Sequence, residues 1–88
     1  MIYRIYTEDK NRDQVEQIVG KYFDGFTIIE ATGYWAGERE KSIIIEHVGA
    51  GGKLDRMAVT DLAYEIKGVN QQTAVLITCT QEFESKIV

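Results

Sequence analysis

Three features of the sequence predict an α+β fold of the ferredoxin-like type. Four short segments rich in β-branched and aromatic residues alternate as strands do, and two longer segments carry apolar residues at helical spacing. They follow one another in the order strand, helix, strand, strand, helix, strand. This βαββαβ order predicts a four-stranded antiparallel sheet with both helices on one face. No linker, repeat or low-complexity tract divides residues 1–88, which we expect to form a single domain.

The first strand and the first helix open the chain. IYRIYT, residues 2–7, alternates as a strand does, and residues 8–23 predict a helix that ends near Gly25. Asn11 and Gln14 resemble a capping pair at the start of this helix. Its apolar residues fall on one stripe: Val15, Ile18, Val19 and Tyr22.

A hairpin and a second helix come next. Residues 26–32 and 41–48 are β-branched runs, and their separation predicts a hairpin with a longer loop. Residues 54–68 predict the second helix, with Gly68 just past its end. Its apolar stripe consists of Val59, Leu62, Ala63 and Ile66.

Residues 71–88 predict the fourth strand and a short extension after it. One face of that strand carries Val75, Ile77 and Cys79, and the other carries Ala74, Leu76, Thr78 and Thr80. The chain has a single cysteine, so Cys79 has no disulfide partner within the chain and is interpreted as a core residue.

The sheet face opposite the helices predicts a subunit interface. It mixes apolar and charged groups, which a solvated face or a fully buried face would not do. The alternative is a monomer with a mixed open face. The residues assigned to this face are Ile2, Arg4, Tyr6, Ile28, Glu30, Ile44, Glu46, Leu76 and Thr78.

Composition excludes several classes of protein. The net charge of −4 disfavours binding to nucleic-acid polymers and to anionic membranes, since both need a basic surface. No apolar run is long enough to span a membrane, and the start of the chain does not resemble a signal peptide, so we expect a cytoplasmic protein. One histidine and one cysteine at no ligand-like spacing indicate no metal site and no cofactor.

The stretch EATGYWAGEREKS, Glu30 to Ser42, holds the only tryptophan, Trp35, beside Tyr34. Together with the Ile-rich strand after it, the run TGYWAGEREKSIIIE resembles the hairpin of CutA proteins, with Tyr34, Trp35 and Gly37 as the matching positions. The order of elements is similar to that of CutA and, more loosely, of PII signalling proteins. This resemblance implies a trimer whose hairpins reach onto neighbouring subunits and whose intersubunit clefts bind small ligands, which are nucleotides in PII-like relatives. The connection between strands two and three is much shorter than a PII T-loop, and PII phosphate-binding sequences are not recognisable.

Trp35 near a hairpin tip has two interpretations. It packs against a neighbouring subunit, or it forms a stacking platform for a flat ligand. Arg39 and Lys41 lie close enough to meet an anion held there, whereas Glu38 and Glu40 are interpreted as surface ion-pair partners.

Two further features offer weaker signals. VGAGGKLD, residues 48–55, is a glycine-rich turn before a helix, where Gly51 and Gly52 would let a ligand approach the backbone and Lys53 would add charge; a simple flexible turn is the alternative. His47 is the only histidine and would hydrogen-bond a ligand or act as a base, but no nucleophile or metal partner is recognisable around it. The CutA resemblance implies a divalent metal between subunits as a further option.

These observations lead to one main hypothesis and two alternatives. The main hypothesis is a non-enzymatic homo-oligomer, with a trimer favoured, that holds a small anionic, nucleotide-related ligand in intersubunit clefts for signalling or sequestration, as a viral or mobile-element protein that removes a host signal nucleotide would. The first alternative is a structural or protein-interaction module. The second is a small enzyme that acts on a nucleotide or phosphoester. The candidate ligand-binding residues are Tyr34, Trp35, Gly37, Arg39, Lys41, His47, Gly51, Gly52 and Lys53.

Overall fold

A computed structural model describes residues 1–81 and residue 86 of the chain. The predicted order of elements is confirmed: β1 (Ile2–Glu8), α1 (Arg12–Tyr22), β2 (Thr27–Trp35), β3 (Glu38–Val48), α2 (Lys53–Asn70) and β4 (Leu76–Thr80). The strands form one sheet in the order β2-β3-β1-β4, and each neighbouring pair is antiparallel. The predicted ferredoxin-like fold is therefore correct. The extension predicted after the last strand falls at residues 82–88, which lie outside the described residues except for Lys86.

Both helices pack on one face of the sheet and enclose the core. Ile5 lies at its centre, because β1 pairs it with Ile45 on one side and Ile77 on the other. Burying each large apolar side chain contributes about 1.5–3 kcal/mol to folding, so this layer supplies most of the stabilisation. The buried apolar residues are Tyr3, Ile5, Val15, Ile18, Val19, Phe23, Ile43, Ile45, Val59, Leu62, Ala63 and Ile66, which include the predicted stripes of both helices except Tyr22, which is only partly buried.

The β2–β3 hairpin differs from the prediction. The longer loop that the sequence predicts is replaced by a two-residue turn. Trp35 pairs with Glu38, and only Ala36 and Gly37 lie between them. Both turn residues have positive φ, 51° and 81°, as the two-residue turns that match strand twist require. The sequence lacks the Asn-Gly pair that usually marks such a turn, so the position of the turn is hard to recognise from the sequence. Both strands extend further towards the turn than predicted.

The open face, which is the sheet face opposite the helices, also differs from the prediction at two positions. Directly paired residues of an antiparallel sheet point to the same face. Ile28 pairs with Ile45 and Glu30 pairs with Ile43, so Ile28 and Glu30 lie on the helix face. Ile29 and Ala31 occupy the open face instead. Two consecutive isoleucines leave the alternation of this strand ambiguous in the sequence, and only the pairing with β3 fixes it.

The start of α1 is not capped as predicted. Asn11 is the residue before the helix, but it adopts a left-handed conformation and its side chain makes no capping hydrogen bond. That side chain instead donates to the carbonyl of Val69 and to the side chain of Asn70 at the end of α2. The helix ends at Tyr22, with Phe23 extended after it, rather than near Gly25.

Two predictions near the C-terminal half are wrong. Gly68 lies inside α2, and the left-handed residue that ends this helix is Gln71. Cys79 points to the helix face beside Met1, as its alternation predicts, but it is exposed rather than part of the core. It lies on β4, which among the described residues has a strand neighbour only on the β1 side.

Candidate functional site

Two glutamates meet on the open face where β1 ends. Glu8 is the last residue of β1 and pairs with Ser42 of β3, and Glu40 lies two residues further along β3 on the same face. Lys10 Nζ lies 2.7 Å from Glu8 Oε2. The pKa of Glu8 is lowered by its hydrogen bond with Lys10 and then by the one with Glu40, whereas the hydrogen bond with Glu8 raises the pKa of Glu40. A proton shared by the two groups is thus favoured on Glu40, and the ionised form is favoured on Glu8.

An open depression of about 460 Å³, here called the hairpin pocket, contains this carboxyl pair. A volume of this order is typical of small-molecule sites. Tyr34 and Trp35 line it from the end of β2 and are 72% and 62% exposed. The Trp35 side chain lies on the open face with Glu40, whereas Tyr34 pairs with Arg39 and its side chain lies on the other face of the hairpin. The complete lining is Tyr6, Thr7, Glu8, Gly33, Tyr34, Trp35, Glu40, Gln72, Thr73, Ala74, Val75 and Leu76.

Gly33 shapes the floor of the hairpin pocket. A Cβ atom built on Gly33 would lie 2.6 Å from Ser42 Oγ, closer than real contacts allow. A larger residue there would displace Ser42 and narrow the space above the carboxyl pair. The small residue thus keeps Trp35 and the carboxyl pair on one continuous surface.

The residues that the sequence suggested around the hairpin fall into two environments. Tyr34 and Trp35 line the hairpin pocket, and Gly37 forms the turn beyond them. Arg39 pairs with Tyr34 near the tip and is exposed, and it is not among the pocket-lining residues. Lys41 lines a separate depression of about 340 Å³ together with Asp9 and Glu30. Its surroundings are therefore acidic side chains rather than the aromatic pair.

The other suggested residues lie at the opposite end of the sheet. His47 is eight residues along β3 from Arg39, a separation of about 26 Å at roughly 3.3 Å per residue. Its ring stacks on Phe23 with 3.8 Å between ring centroids, and its Nδ1 lies 2.6 Å from the carbonyl oxygen of Gly25. These contacts give His47 a packing role and leave it far from the hairpin pocket.

The glycine-rich turn before α2 is filled by a carboxylate of the chain itself. Asp55 Oδ2 accepts a hydrogen bond of 2.9 Å from the backbone N–H of Gly51. A Cβ on Gly49 would lie 2.7 Å from the same oxygen, so Asp55 packs tightly against this turn. Gly52 precedes the helix, and Lys53 begins it exposed to solvent. Within one chain, Gly51, Gly52 and Lys53 are not brought together with Trp35.

Sequence reasoning missed most of the acidic and polar side of the pocket. Glu40 was interpreted as a surface ion-pair partner because the loop assignment hid its place on β3. Glu8 was included in the helix segment, and Gln72 carried no recognisable signal. Counting the alternation of β3 backwards from Ile44 through Ser42 would have placed Glu40 on the open face.

The described residues contain neither a metal-binding cluster nor a membrane-spanning helix. Within residues 1–81 and residue 86, no three side chains of the types His, Cys, Asp and Glu lie close enough together to hold a metal ion. Neither helix of that part of the chain is long and apolar enough to cross a membrane.

Comparison with known proteins gives a structural likeness only. No protein-family model matches the sequence, and no curated protein matches it either. A phage SAM lyase in complex with S-methyl-5′-thioadenosine is similar in structure with a TM-score of 0.70 and 15% identity, over 86% of this chain and 76% of that one. The apo state of a phage SAM lyase gives a TM-score of 0.67 and 19% identity, over 86% and 75%.

A designed protein shares the same fold. The de novo protein Foldit4 matches with a TM-score of 0.53 and 21% identity, over 92% of this chain and 93% of its own. Since a fold by itself does not determine activity, the likeness to the lyase establishes the ferredoxin-like architecture. The likeness also runs against the hypothesis of a non-enzymatic sponge, because the natural proteins matched here are enzymes. The enzyme alternative agrees better with this finding.

Proposed function

We propose that this protein is an enzyme that cleaves S-adenosylmethionine (SAM) in the hairpin pocket, as a lyase. The observation that carries the proposal is the pairing of an exposed aromatic ring, Trp35, with the Glu8–Glu40 carboxyl pair in one depression. That depression lies in a fold shared with a phage SAM lyase.

The chemistry of the pocket suits the parts of SAM. Adenine is flat, and Trp35 offers a ring on which it can stack. The α-amino group of SAM is mostly protonated at neutral pH, and ionised Glu8 offers this ammonium a charge-assisted hydrogen bond. Arg39, Lys41 and Lys53, which were expected to meet an anionic ligand, do not line this pocket.

Charge changes during the reaction indicate where Glu8 should act. Release of S-methyl-5′-thioadenosine breaks the bond between sulfur and the γ-carbon, and the electron pair stays on sulfur, whose positive charge disappears. A carboxylate held against the sulfur would stabilise the substrate more than the transition state and would slow the reaction. The ammonium group keeps its charge throughout. We therefore place Glu8 at the ammonium group.

Two routes balance atoms and charge for the four-carbon remainder. In the first, the substrate carboxylate forms the new bond to the γ-carbon and closes a five-membered lactone, with no proton transferred to the enzyme. In the second, a base removes a proton from the β-carbon and an alkene forms. Ring closure needs only correct positioning, which a pocket of fixed rings and carboxyl groups supplies. We assign ring closure on this ground.

A second copy of the chain would complete the site. Tyr34 and Trp35 are mostly exposed in one chain, and Leu76 at the opposite wall is 59% exposed. Displacement by carboxylate requires that water be excluded from the γ-carbon. We propose a homo-oligomer in the cytoplasm, with the trimer implied by the CutA resemblance as the first arrangement to test.

The direct test is to incubate the purified protein with SAM and to measure S-methyl-5′-thioadenosine and the four-carbon product by mass spectrometry. We expect equal amounts of thioether and lactone, and we expect at least a 10-fold loss of rate in Glu8→Gln. Glu16→Gln, a change on the exposed side of α1, is the matched control and should keep full activity. Folded oligomeric protein that releases no thioether from SAM would refute the proposal.

A further inference from the structure

The core becomes polar at the end nearest the hairpin pocket. Along β1 the side chains facing the helices are Tyr3, Ile5 and then Thr7, which is 4% exposed. The buried stripe of α2 ends in the same way with Asn70, which is 3% exposed. Burying a polar side chain costs free energy of folding unless the side chain is hydrogen-bonded. Thr7 and Asn70 both bond to one further side chain, which indicates that they orient that side chain.

That shared partner is Gln72, just beyond α2. Its Oε1 accepts hydrogen bonds from the Thr7 hydroxyl and from Asn70 Nδ2, the latter at 2.9 Å. Its Nε2 donates to the carbonyl oxygen of Ala74 at 3.3 Å. Asn70 Oδ1 in turn accepts from Asn11 Nδ2 at 3.1 Å. Both ends of the Gln72 amide are therefore engaged, which fixes its orientation.

The segment that this amide anchors forms one wall of the hairpin pocket. Residues 72–76 all line the pocket, and they follow the chain reversal at Gln71, which has a φ of 52°. Residues 73–75 lie between α2 and β4 and belong to neither. The Gln72 side chain holds this segment because its amide nitrogen bonds to the Ala74 carbonyl and its amide oxygen bonds to the buried Thr7 and Asn70 side chains.

We infer that Thr7, Asn70 and Gln72 are positioning residues of the hairpin pocket, which set the place of the 72–76 wall opposite Trp35. This inference rests on the proposed function for the identity of the ligand. None of the three needs to take part in bond making. If the Thr7 hydroxyl is lost, Gln72 keeps its bond to Asn70, so the wall loosens without unfolding of the core.

The test compares Thr7→Val, which removes the donor at nearly constant volume, with Thr7→Ser, which keeps it. The probes are the dissociation constant for S-methyl-5′-thioadenosine by calorimetry and the backbone ¹⁵N order parameters of Thr73, Ala74 and Val75. For Thr7→Val we expect roughly 10-fold weaker binding and order parameters that fall from about 0.85 towards 0.6. Thr7→Ser should restore both.

Two controls separate positioning from general destabilisation. Val59→Ala makes a cavity in the core away from the pocket wall, and Thr27→Val changes an exposed threonine at the start of β2, at the end of that strand opposite the hairpin. Both should leave the affinity and the order parameters of residues 73–75 as in the wild type. An equal loosening in Val59→Ala, or wild-type values in Thr7→Val, would overturn the inference.

Failure of this inference can be told apart from failure of the proposed function. If the wild type binds and cleaves SAM while Thr7→Val behaves identically, the positioning role is wrong and the function stands. If the wild type binds neither SAM nor the thioether, but Thr7→Val still loosens residues 73–75 and Thr7→Ser does not, the proposed function is wrong and the positioning role stands.

Discussion

The carboxyl groups of Glu8 and Glu40 are hydrogen-bonded to one another on the open face, at the end of β1. Among the described residues, only β2 and β3 extend beyond this point, as the two strands of the hairpin. Two carboxylates in contact repel, and one bound proton relieves the repulsion. The pKa of Glu40 is raised and that of Glu8 is lowered, so a proton bound by the pair is favoured on Glu40.

The first prediction concerns Glu40→Gln, which keeps a hydrogen-bond donor but cannot ionise. A group with a raised pKa contributes stability below its unfolded pKa, near 4.5, and this contribution is lost as the pH rises through the folded pKa. The variant should escape that loss. Melting temperatures measured from about pH 4 to pH 8 should show the variant gaining on the wild type as the pH rises. A constant difference across this range would contradict the shared proton.

The second prediction concerns Trp35→Ala. Because the side chain is mostly exposed in the single chain, the free energy of unfolding of the monomer should change by no more than about 0.5 kcal/mol. Loss of a stacking ring should weaken binding of S-methyl-5′-thioadenosine by roughly 5- to 150-fold. Calorimetry gives the affinity and chemical denaturation gives the stability. The control is Leu54→Ala, which removes an exposed apolar side chain at the start of α2 and should leave the affinity unchanged.

The third prediction concerns the hairpin turn. Ala36 has a φ of 51°, a left-handed conformation that costs alanine about 1 kcal/mol relative to glycine or asparagine. Ala36→Asn should therefore raise the free energy of unfolding by roughly 0.5–1 kcal/mol, measured by urea denaturation. Gly37→Ala places a methyl group at a φ of 81° and should have the opposite effect. Equal stability of all three proteins would show that the turn is not held in this conformation.

The fourth prediction concerns the contact between α1 and α2. The Tyr22 hydroxyl donates to Glu65, which also accepts a 2.8 Å hydrogen bond from Lys21. The bond to Glu65 raises the pKa of Tyr22 from 10.0 to about 12. The stabilisation is therefore present below pH 10 and is lost as the pH rises towards 12. In Glu65→Ala the pKa of Tyr22, followed by NMR, should return towards 10.0, while Glu16→Ala should leave it raised. A pKa unchanged by Glu65→Ala would show that another group raises it.

The element order and both helical stripes could be predicted because they depend on local periodicity. Val15, Ile18 and Val19 repeat at the helical period, and Tyr3 and Ile5 alternate at the strand period. The candidate site could be predicted only in part. Tyr34 and Trp35 attract attention as rare, large residues near a turn, whereas Glu8 and Gln72 resemble any solvated residue.

The sequence by itself determined the βαββαβ order and the segments that bury apolar surface, since these follow from spacing along the chain. Only the tertiary structure decided that Ile28 faces the helices, that His47 and Trp35 lie at opposite ends of the sheet, and that Glu8, Glu40 and Gln72 line one pocket. These relationships depend on strand register and on contacts between residues that are distant in the sequence. Glu8 and Glu40, for example, are more than 30 positions apart. Such contacts produce no periodic pattern in the sequence.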